Sequence, residues 1–166
     1  MTISEVSDQI MANFNAAQWD EWRQHIADDA SMEDMASGYK ASGGDEVLGY
    51  AQGWKMAFPD MVGTCDRRHV AGDVLLEECT WTGTHTGDMM TPNGTIPPTN
   101  KTVKISNILV WEFEGDQYKN DFAGPFIDDV AFGSVCEAVE CIDSSECSAS
   151  SEWPQGCYRS LSRKII

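Results

Sequence analysis

Apolar side chains recur every three or four residues in the N-terminal part of the chain, which is the spacing of one face of an α-helix. The first such segment covers residues 2–16, and Thr2 with Glu5 forms a capping-box pattern at its start. A second, shorter segment covers 18–27. The pattern predicts two helices, followed by a brief strand at 30–35.

A third helix is predicted between Ser42, which can cap its start, and Pro59, which cannot continue it. Asp45 and Glu46 fall in its first turn, where acidic groups suit the helix dipole. Its apolar stripe consists of Val47, Tyr50, Ala51, Trp54, Ala57 and Phe58. This spacing predicts a helix with one face on the core.

Beyond the third helix the apolar period changes to two, which is typical of β-strands. The predicted strands span 62–71, 74–85, 102–114 and 117–127. Gly72-Asp73 and Gly115-Asp116 supply tight-turn residues, so each pair of strands is expected to form a hairpin. The Thr-, Pro- and Gly-rich segment 87–101 is expected to be a long loop. Three helices followed by antiparallel strands predict an α+β fold.

The 166 residues suit one domain, which we place at 1–128. The segment 129–166 differs in composition, because it is rich in Ser, Cys and Glu and poor in periodic apolar residues. A disordered tail, a loosely packed appendage and a foreign sequence are all compatible with this composition.

The net charge of −16 argues against two classes of partner. An acidic surface repels phosphate backbones and anionic lipid head groups, so we expect neither nucleic-acid nor membrane binding. The chain has no apolar run of about 18 residues and its N-terminus does not resemble a signal peptide. We therefore expect a cytoplasmic protein.

The six cysteines do not show the spacing of a zinc site, because no CxxC pair is present. Cys65 and Cys79 stand singly in strand-like segments and are expected to be small core residues. Phosphate-binding, nucleophile-elbow and dinucleotide-binding motifs are also missing from the sequence. We therefore predict chemistry that needs no metal and no cofactor.

Several short motifs, taken in order, resemble the SnoaL-like polyketide cyclase (ester cyclase) family. They are Ala27-Asp28-Asp29-Ala30, Gly43-Gly44, Ala57-Phe58-Pro59-Asp60, Ala71-Gly72-Asp73-Val74, Trp81-Thr82-Gly83-Thr84-His85-Thr86-Gly87 and Pro97-Pro98-Thr99-Asn100-Lys101. The resemblance covers about residues 5–127. It implies the nuclear transport factor 2-like fold, a cone-shaped curved sheet of antiparallel or mixed strands packed on three helices.

The resemblance further implies a pocket for a small, flat, apolar molecule and proton transfer by a carboxylate near a carbonyl group. Counted from the Gly115-Asp116 turn, the family's last aspartate falls near Phe126, and Asp128 has the same strand parity. Asp128 is therefore the first candidate for the catalytic carboxylate. Isomerases and hydrolases share this superfamily, and some members only bind, so the fold does not choose the reaction.

Strand parity selects the polar side chains expected inside the sheet. Asn107 falls on the apolar face of its strand, and Asn120 shares a face with Tyr118 and Phe122. We expect both amides to bind a ligand carbonyl, or else each other or a water molecule. Asp121 has the opposite parity and is expected to point outward, unless a bulge near 124–125 intervenes.

Three further candidates can exchange protons. His85 lies on the apolar face of its strand. We expect it to act either as a general acid or base, or as a histidine that fixes the 87–101 loop. Glu33 and Asp34 occupy the first strand, so one of them is expected to face inward if the strand alternates. A carboxyl against apolar walls has a raised pKa and becomes a proton donor near pH 7.

The residues expected to line the pocket are Trp54, Phe58, Met89, Tyr118 and Phe122, with Met89-Met90 as a candidate lid. Three functions remain open. The first is a cofactor-free cyclase, isomerase or hydrolase that acts on a small apolar carbonyl compound. The second is a non-catalytic module that binds such a molecule. The third is an interaction domain, and a homodimer through the sheet is expected in each case.

Overall fold

The computed structural model describes residues 1–35, 38–91 and 94–126, without the side chains of 122 and 124–126. The helices are α1 (Ile3–Ala16), α2 (Trp19–Gln24) and α3 (Gly44–Ala57). The strands are β1 (Ile26–Asp34), β2 (Tyr39–Ser42), β3 (Val62–Ala71), β4 (Val74–Thr84), β5 (Met89–Thr91), β6 (Gly94–Ile96), β7 (Thr102–Glu114) and β8 (Gln117–Phe126). The α+β prediction is confirmed.

Six strands form one curved sheet in the order β2-β1-β8-β7-β4-β3. Neighbouring strands are antiparallel except β1 and β8, which are parallel. Both predicted hairpins form, and Gly72 and Gly115 adopt positive φ angles of 64° and 63° in their turns. β8, the last strand of the described residues, therefore lies in the middle of the sheet, between β1 and β7.

The helices pack their apolar sides on one face of this sheet. α1 begins at the predicted capping box, in which Thr2 and Glu5 exchange hydrogen bonds. Val6, Ile10 and Phe14 of α1 join Val47, Ala51 and Ala57 of α3 in the core. The helices therefore cover this face of the sheet and separate the core from solvent.

Three predicted boundaries in the N-terminal region are wrong. α2 ends at Gln24, and β1 begins at Ile26 rather than at residue 30. Ser42 belongs to β2 and does not cap α3, since the N-cap residue is Gly43 with φ 98°. β2 itself was not predicted, because four residues are too short to show a period.

The segment 87–101 is more ordered than predicted, because β5 and β6 pair as a small antiparallel ribbon. Met89 packs against the core and opposes Ile96, whereas Met90 is 73% exposed. The backbone N–H groups of Thr86 and Gly87 donate to the carbonyl of Ala57 at the end of α3. These bonds hold the ribbon against the third helix.

Two register shifts change which side chains face the interior of the sheet. In β3, Cys65 pairs with Cys79 but Arg67 pairs with Glu78, so Asp66 is an extra residue. In β8, Tyr118 pairs with Phe113 and Asn120 pairs with Glu112, so Lys119 is an extra residue. A β-bulge of this kind reverses which alternate residues face inward beyond it.

No described helix is long and apolar enough to cross a membrane. The Asp128 candidate and the whole 129–166 segment lie outside the described residues.

Candidate functional site

Asp121 faces the interior, and the prediction that it points outward is wrong. Beyond the Lys119 bulge, Asp121 lies directly opposite Trp111 on β7 and Met32 on β1. Both of these side chains are buried in the core. The bulge sits earlier in the strand than the 124–125 position considered from the sequence, and it turns Asp121 inward.

The Asp121 carboxyl is in an unusual electrostatic environment. Its Oδ1 atom is inaccessible to solvent and has no hydrogen-bond partner in the described part of the chain. Burial, reinforced by the negative charges of Asp34 and Glu77, raises the pKa of Asp121 to about 8. Near neutral pH this carboxyl is therefore mostly protonated and can donate a proton.

Asp34 is the member of the Glu33–Asp34 pair that faces inward. It is 8% exposed, and the Tyr50 hydroxyl donates to its Oδ2 at 2.9 Å. Burial and the neighbouring Asp34 charge raise the pKa of Tyr50, so the phenol remains a donor. Glu33 lies on the other face, where its Oε2 pairs with the Lys40 Nζ at 2.9 Å. The predicted alternation therefore selects Asp34.

Because of the same bulge, Tyr118 and Asn120 lie on opposite faces of the sheet. Tyr118 is buried, and its hydroxyl donates to the Ser31 carbonyl at 3.0 Å. Burial, together with the charge of Asp121, raises the pKa of Tyr118. Asn120 accepts from the Ser31 hydroxyl and donates to Glu112, and both partners are exposed. The prediction that Asn120 faces the interior is therefore wrong.

Asn107 lies on the inner face of β7, as parity predicts. Its Oδ1 accepts the indole N–H of Trp81 at 3.0 Å, and Trp81 stands on the neighbouring strand. The amide partner is thus a tryptophan rather than a second asparagine.

A third inward carboxylate, Glu77, was not singled out from the sequence. It is fully buried, its Oε1 accepts the Arg68 Nε at 2.7 Å, and its Oε2 accepts the Ser7 hydroxyl at 2.7 Å. Strand parity could have found it, because Glu77 shares the apolar face of β4 with Leu75 and Cys79. With both oxygens occupied, Glu77 joins α1 to the sheet and also adds negative charge near Asp121.

His85 is fully buried just beyond β4 and contacts the segment after β6. Its Nδ1 lies 3.0 Å from the Thr99 hydroxyl and 3.4 Å from the Thr99 backbone nitrogen, which donates to it. A nitrogen that accepts an N–H carries no proton, so this contact favours the tautomer protonated on Nε2. Burial lowers the pKa of His85, which keeps the ring neutral. Its Nε2 is buried and has no hydrogen-bond partner among the described residues. The Nδ1 contacts fit the predicted loop-fixing role, and the unpaired Nε2 leaves the predicted acid–base role open.

Aromatic rings line α3 and continue to His85; we call Tyr39, Tyr50, Trp54, Phe58 and His85 the aromatic row. Successive ring centroids lie 5.1, 6.3, 5.7 and 5.0 Å apart. Tyr50 and Trp54 of α3 and Phe58 at its C-cap follow at intervals of four residues, which places them on one side of the helix. The predicted lining residues Trp54 and Phe58 belong to this row.

Cys65 and Cys79 form a disulfide across β3 and β4, so the prediction of two separate core cysteines is incomplete. Their sulfur atoms and a Glu77 oxygen lie within 4.8 Å of one another, which resembles a metal-ligand group. The sulfurs are bonded to each other, however, and the Glu77 oxygens accept from Arg68 and Ser7. This trio is therefore occupied by internal bonds.

Two predicted site residues cannot be placed. Asp128 lies outside the described residues, as does the side chain of Phe122. Only the backbone position of Phe122 is described, paired with Glu33 and Val110.

The chain matches a family model described as SnoaL-like polyketide cyclase over residues 5–123. Comparison with curated protein sequences found no match. Solved structures share the fold at low sequence identity. IdmH of Streptomyces antibioticus, a candidate polyketide cyclase, is 20% identical with a TM-score of 0.67, covering 82% of this chain and 99% of that one.

Two further structures have the same architecture. A SnoaL-like candidate polyketide cyclase from Jannaschia sp. CCS1 is 15% identical with a TM-score of 0.66, covering 75% of this chain and 85% of its own. AclR of Streptomyces galilaeus, a candidate hydroxylase, is 16% identical with a TM-score of 0.67. The match covers 81% of this chain and 96% of AclR. One fold thus carries different proposed activities.

Proposed function

Because the chain belongs to the SnoaL-like polyketide cyclase family, we propose that it binds a small apolar carbonyl compound between sheet and helices and transfers a proton there with its own side chains. Asp121 is the proposed acid–base group. The observation that carries this proposal is an inward carboxyl with an unpartnered buried oxygen and a pKa of about 8. A group poised near the working pH is the most effective proton carrier.

The neighbouring carboxylate gives the proposed reaction its second group. Asp34 opposes Ala123 on β8, two residues beyond Asp121, so both acids lie on the inner face of adjacent strands. Protonated Asp121 would donate to the ligand carbonyl, where negative charge develops as an enol forms. Asp34, oriented by the Tyr50 hydroxyl, would accept the proton from the adjacent carbon.

The aromatic row supports the apolar character of the proposed ligand. Flat rings at successive spacings of 5.0 to 6.3 Å offer a surface on which a planar molecule can stack. Asp128, Asn107 and the Met89-Met90 lid remain predictions about the same ligand. His85 also remains a prediction about this ligand, because its Nδ1 contacts Thr99 while its buried Nε2 has no partner among the described residues.

Proton exchange tests this proposal without knowledge of the natural substrate. The protein is incubated in D2O with a panel of aryl and cyclic ketones, and deuterium at the α-carbon is followed by mass spectrometry. Asp121→Asn is expected to slow the exchange by about 10²- to 10⁴-fold, the usual contribution of a placed acid or base. Asp116→Asn, an exposed aspartate in the turn before β8, is the matched control and should exchange normally.

Wild-type exchange rates in the Asp121→Asn variant would contradict the assignment of Asp121. Saturable ketone binding by the wild type without any exchange would instead favour the non-catalytic binding module.

A further inference from the structure

We infer that Trp111 is a ligand-binding residue whose indole N–H, together with the Asp121 carboxyl, receives a single oxygen atom of the bound molecule. This inference rests on the proposed function, because it places the ligand in the same interior. It adds a specific donor and therefore a requirement on the ligand, which must present an acceptor oxygen next to an apolar ring system.

The first observation is an unused donor in the core. Trp111 is 7% exposed, and its Nε1 has no hydrogen-bond partner in the described segments. Buried polar groups are nearly always paired, because an unpaired one loses its hydrogen bonds to water without replacement. Trp81, in contrast, satisfies its indole N–H with Asn107 on the same face of the sheet. A buried indole N–H left unpaired beside one that is paired points to a missing partner.

The second observation is the position of the neighbouring unpaired atom. Trp111 and Asp121 are directly opposite each other on β7 and β8, and cross-strand partners hold their Cβ atoms about 5 Å apart. Asp121 Oδ1 is likewise buried and unpartnered across the described ranges. The two groups do not bond to each other, so one oxygen accepting from both would satisfy the pair.

The surrounding rings fix the indole in place. Trp111 stacks on Phe113 with centroids 6.1 Å apart and meets Tyr118 edge-on at 5.3 Å. The Tyr118 hydroxyl is committed to the Ser31 carbonyl, so it does not compete for the same oxygen. The donor is therefore held rigid before the ligand arrives, which reduces the entropy lost on binding.

The test uses α-tetralone, a planar ketone, and tetralin, the hydrocarbon that lacks its oxygen, as calorimetric ligands of the full chain. Wild type is expected to prefer α-tetralone. Trp111→Phe keeps the stacked ring and removes the N–H, so it should weaken α-tetralone binding about tenfold and leave tetralin binding unchanged. Trp22→Phe, a buried indole in α2, is the matched control and should change neither.

A second measurement guards against a Trp111→Phe variant that folds poorly. In protein labelled with ¹⁵N at its six tryptophans, the Trp111 indole proton should move downfield on adding α-tetralone. A Trp111 proton that moves with Asp121→Asn and ignores the ketone would show an internal bond and overturn the inference. Equal affinity of wild type for the two ligands, or equal weakening of both by Trp111→Phe, would overturn it too.

These outcomes are separable from the proposed function. Loss of the Trp111 effect leaves proton exchange through Asp121 intact, whereas absence of exchange leaves the ketone preference measurable.

Discussion

At the scale of single residues, the three inward carboxylates differ in their partners. Glu77 accepts from Arg68 and Ser7, and Asp34 accepts from Tyr50. Asp121 Oδ1 accepts from none of the described residues. A buried negative charge without donors is the costliest arrangement, so the proton stays on Asp121.

This difference predicts a specific dependence of stability on pH. The pKa of Asp121 rises from its usual 3.8 to about 8 on folding. Between these values the native protein holds more of this proton than the unfolded chain does, so the contribution of Asp121 to stability falls with rising pH. The slope is at most about 1.4 kcal/mol per pH unit.

Asp121→Asn removes this titration, so the variant should gain stability relative to wild type as pH rises through that window and level off above it. Urea unfolding at a series of pH values measures the difference. Asp116→Asn, which is solvent-exposed, should follow the wild-type curve. Parallel curves for Asp121→Asn and wild type would refute a folded pKa near 8.

The inward candidates were only partly accessible from the sequence. Alternation correctly grouped His85 with Cys79 and could have added Glu77. It failed for Asp121 and Asn120, because one extra residue at position 119 reverses the alternation that follows. The bulge is defined by pairing with β7, which no local pattern in β8 records.

At the scale of elements, strands of ten or more residues were the best predicted. The limits of β3 and β7 agree with the sequence pattern, since a long period-two run has few alternative readings. The short strands β2, β5 and β6 were missed, because three or four residues are held by their neighbours rather than by their own period.

Arg68 makes several of the polar contacts between α1 and the β3–β4 hairpin. Arg68 donates to buried Glu77 at 2.7 Å, to Asp8 at 2.7 Å and to the Ser4 carbonyl at 3.3 Å. Arg68→Met would leave the Glu77 charge buried without its cation, at an expected cost of about 3–5 kcal/mol in the free energy of unfolding.

Arg67 is the matched control for this prediction. It is the adjacent residue and pairs with Glu78 at 2.8 Å on the exposed face. Arg67→Met should cost less than about 1 kcal/mol by the same denaturation measurement. Equal losses for the two variants would mean that the Arg68–Glu77 pair does not secure α1.

At the scale of the whole molecule, the outer face of the sheet carries the apolar side chains expected of a dimer surface. Leu76 pairs with Val110 across β4 and β7, and Ile108 lies two residues away on the same face. All three are intermediate in exposure. The homodimer stays a prediction, and these residues give it a location.

Val110→Lys places a charge in the centre of that face and should convert a dimer into a monomer in sedimentation velocity at micromolar concentration. Thr102→Lys, on the same face at the exposed start of β7, should leave the association unchanged. A wild-type protein that sediments as a monomer would remove the dimer from consideration.

The position of β8 between β1 and β7 has a consequence for synthesis on the ribosome. Until residues 117–126 emerge, the β2–β1 pair and the β7–β4–β3 sheet remain two separate pieces with open edges. β8 joins them and also carries Asp121, so the proposed acid–base group enters the molecule at the moment when its interior closes. A nascent chain halted before β8 would expose two unpaired strand edges, and we expect chaperones to bind it.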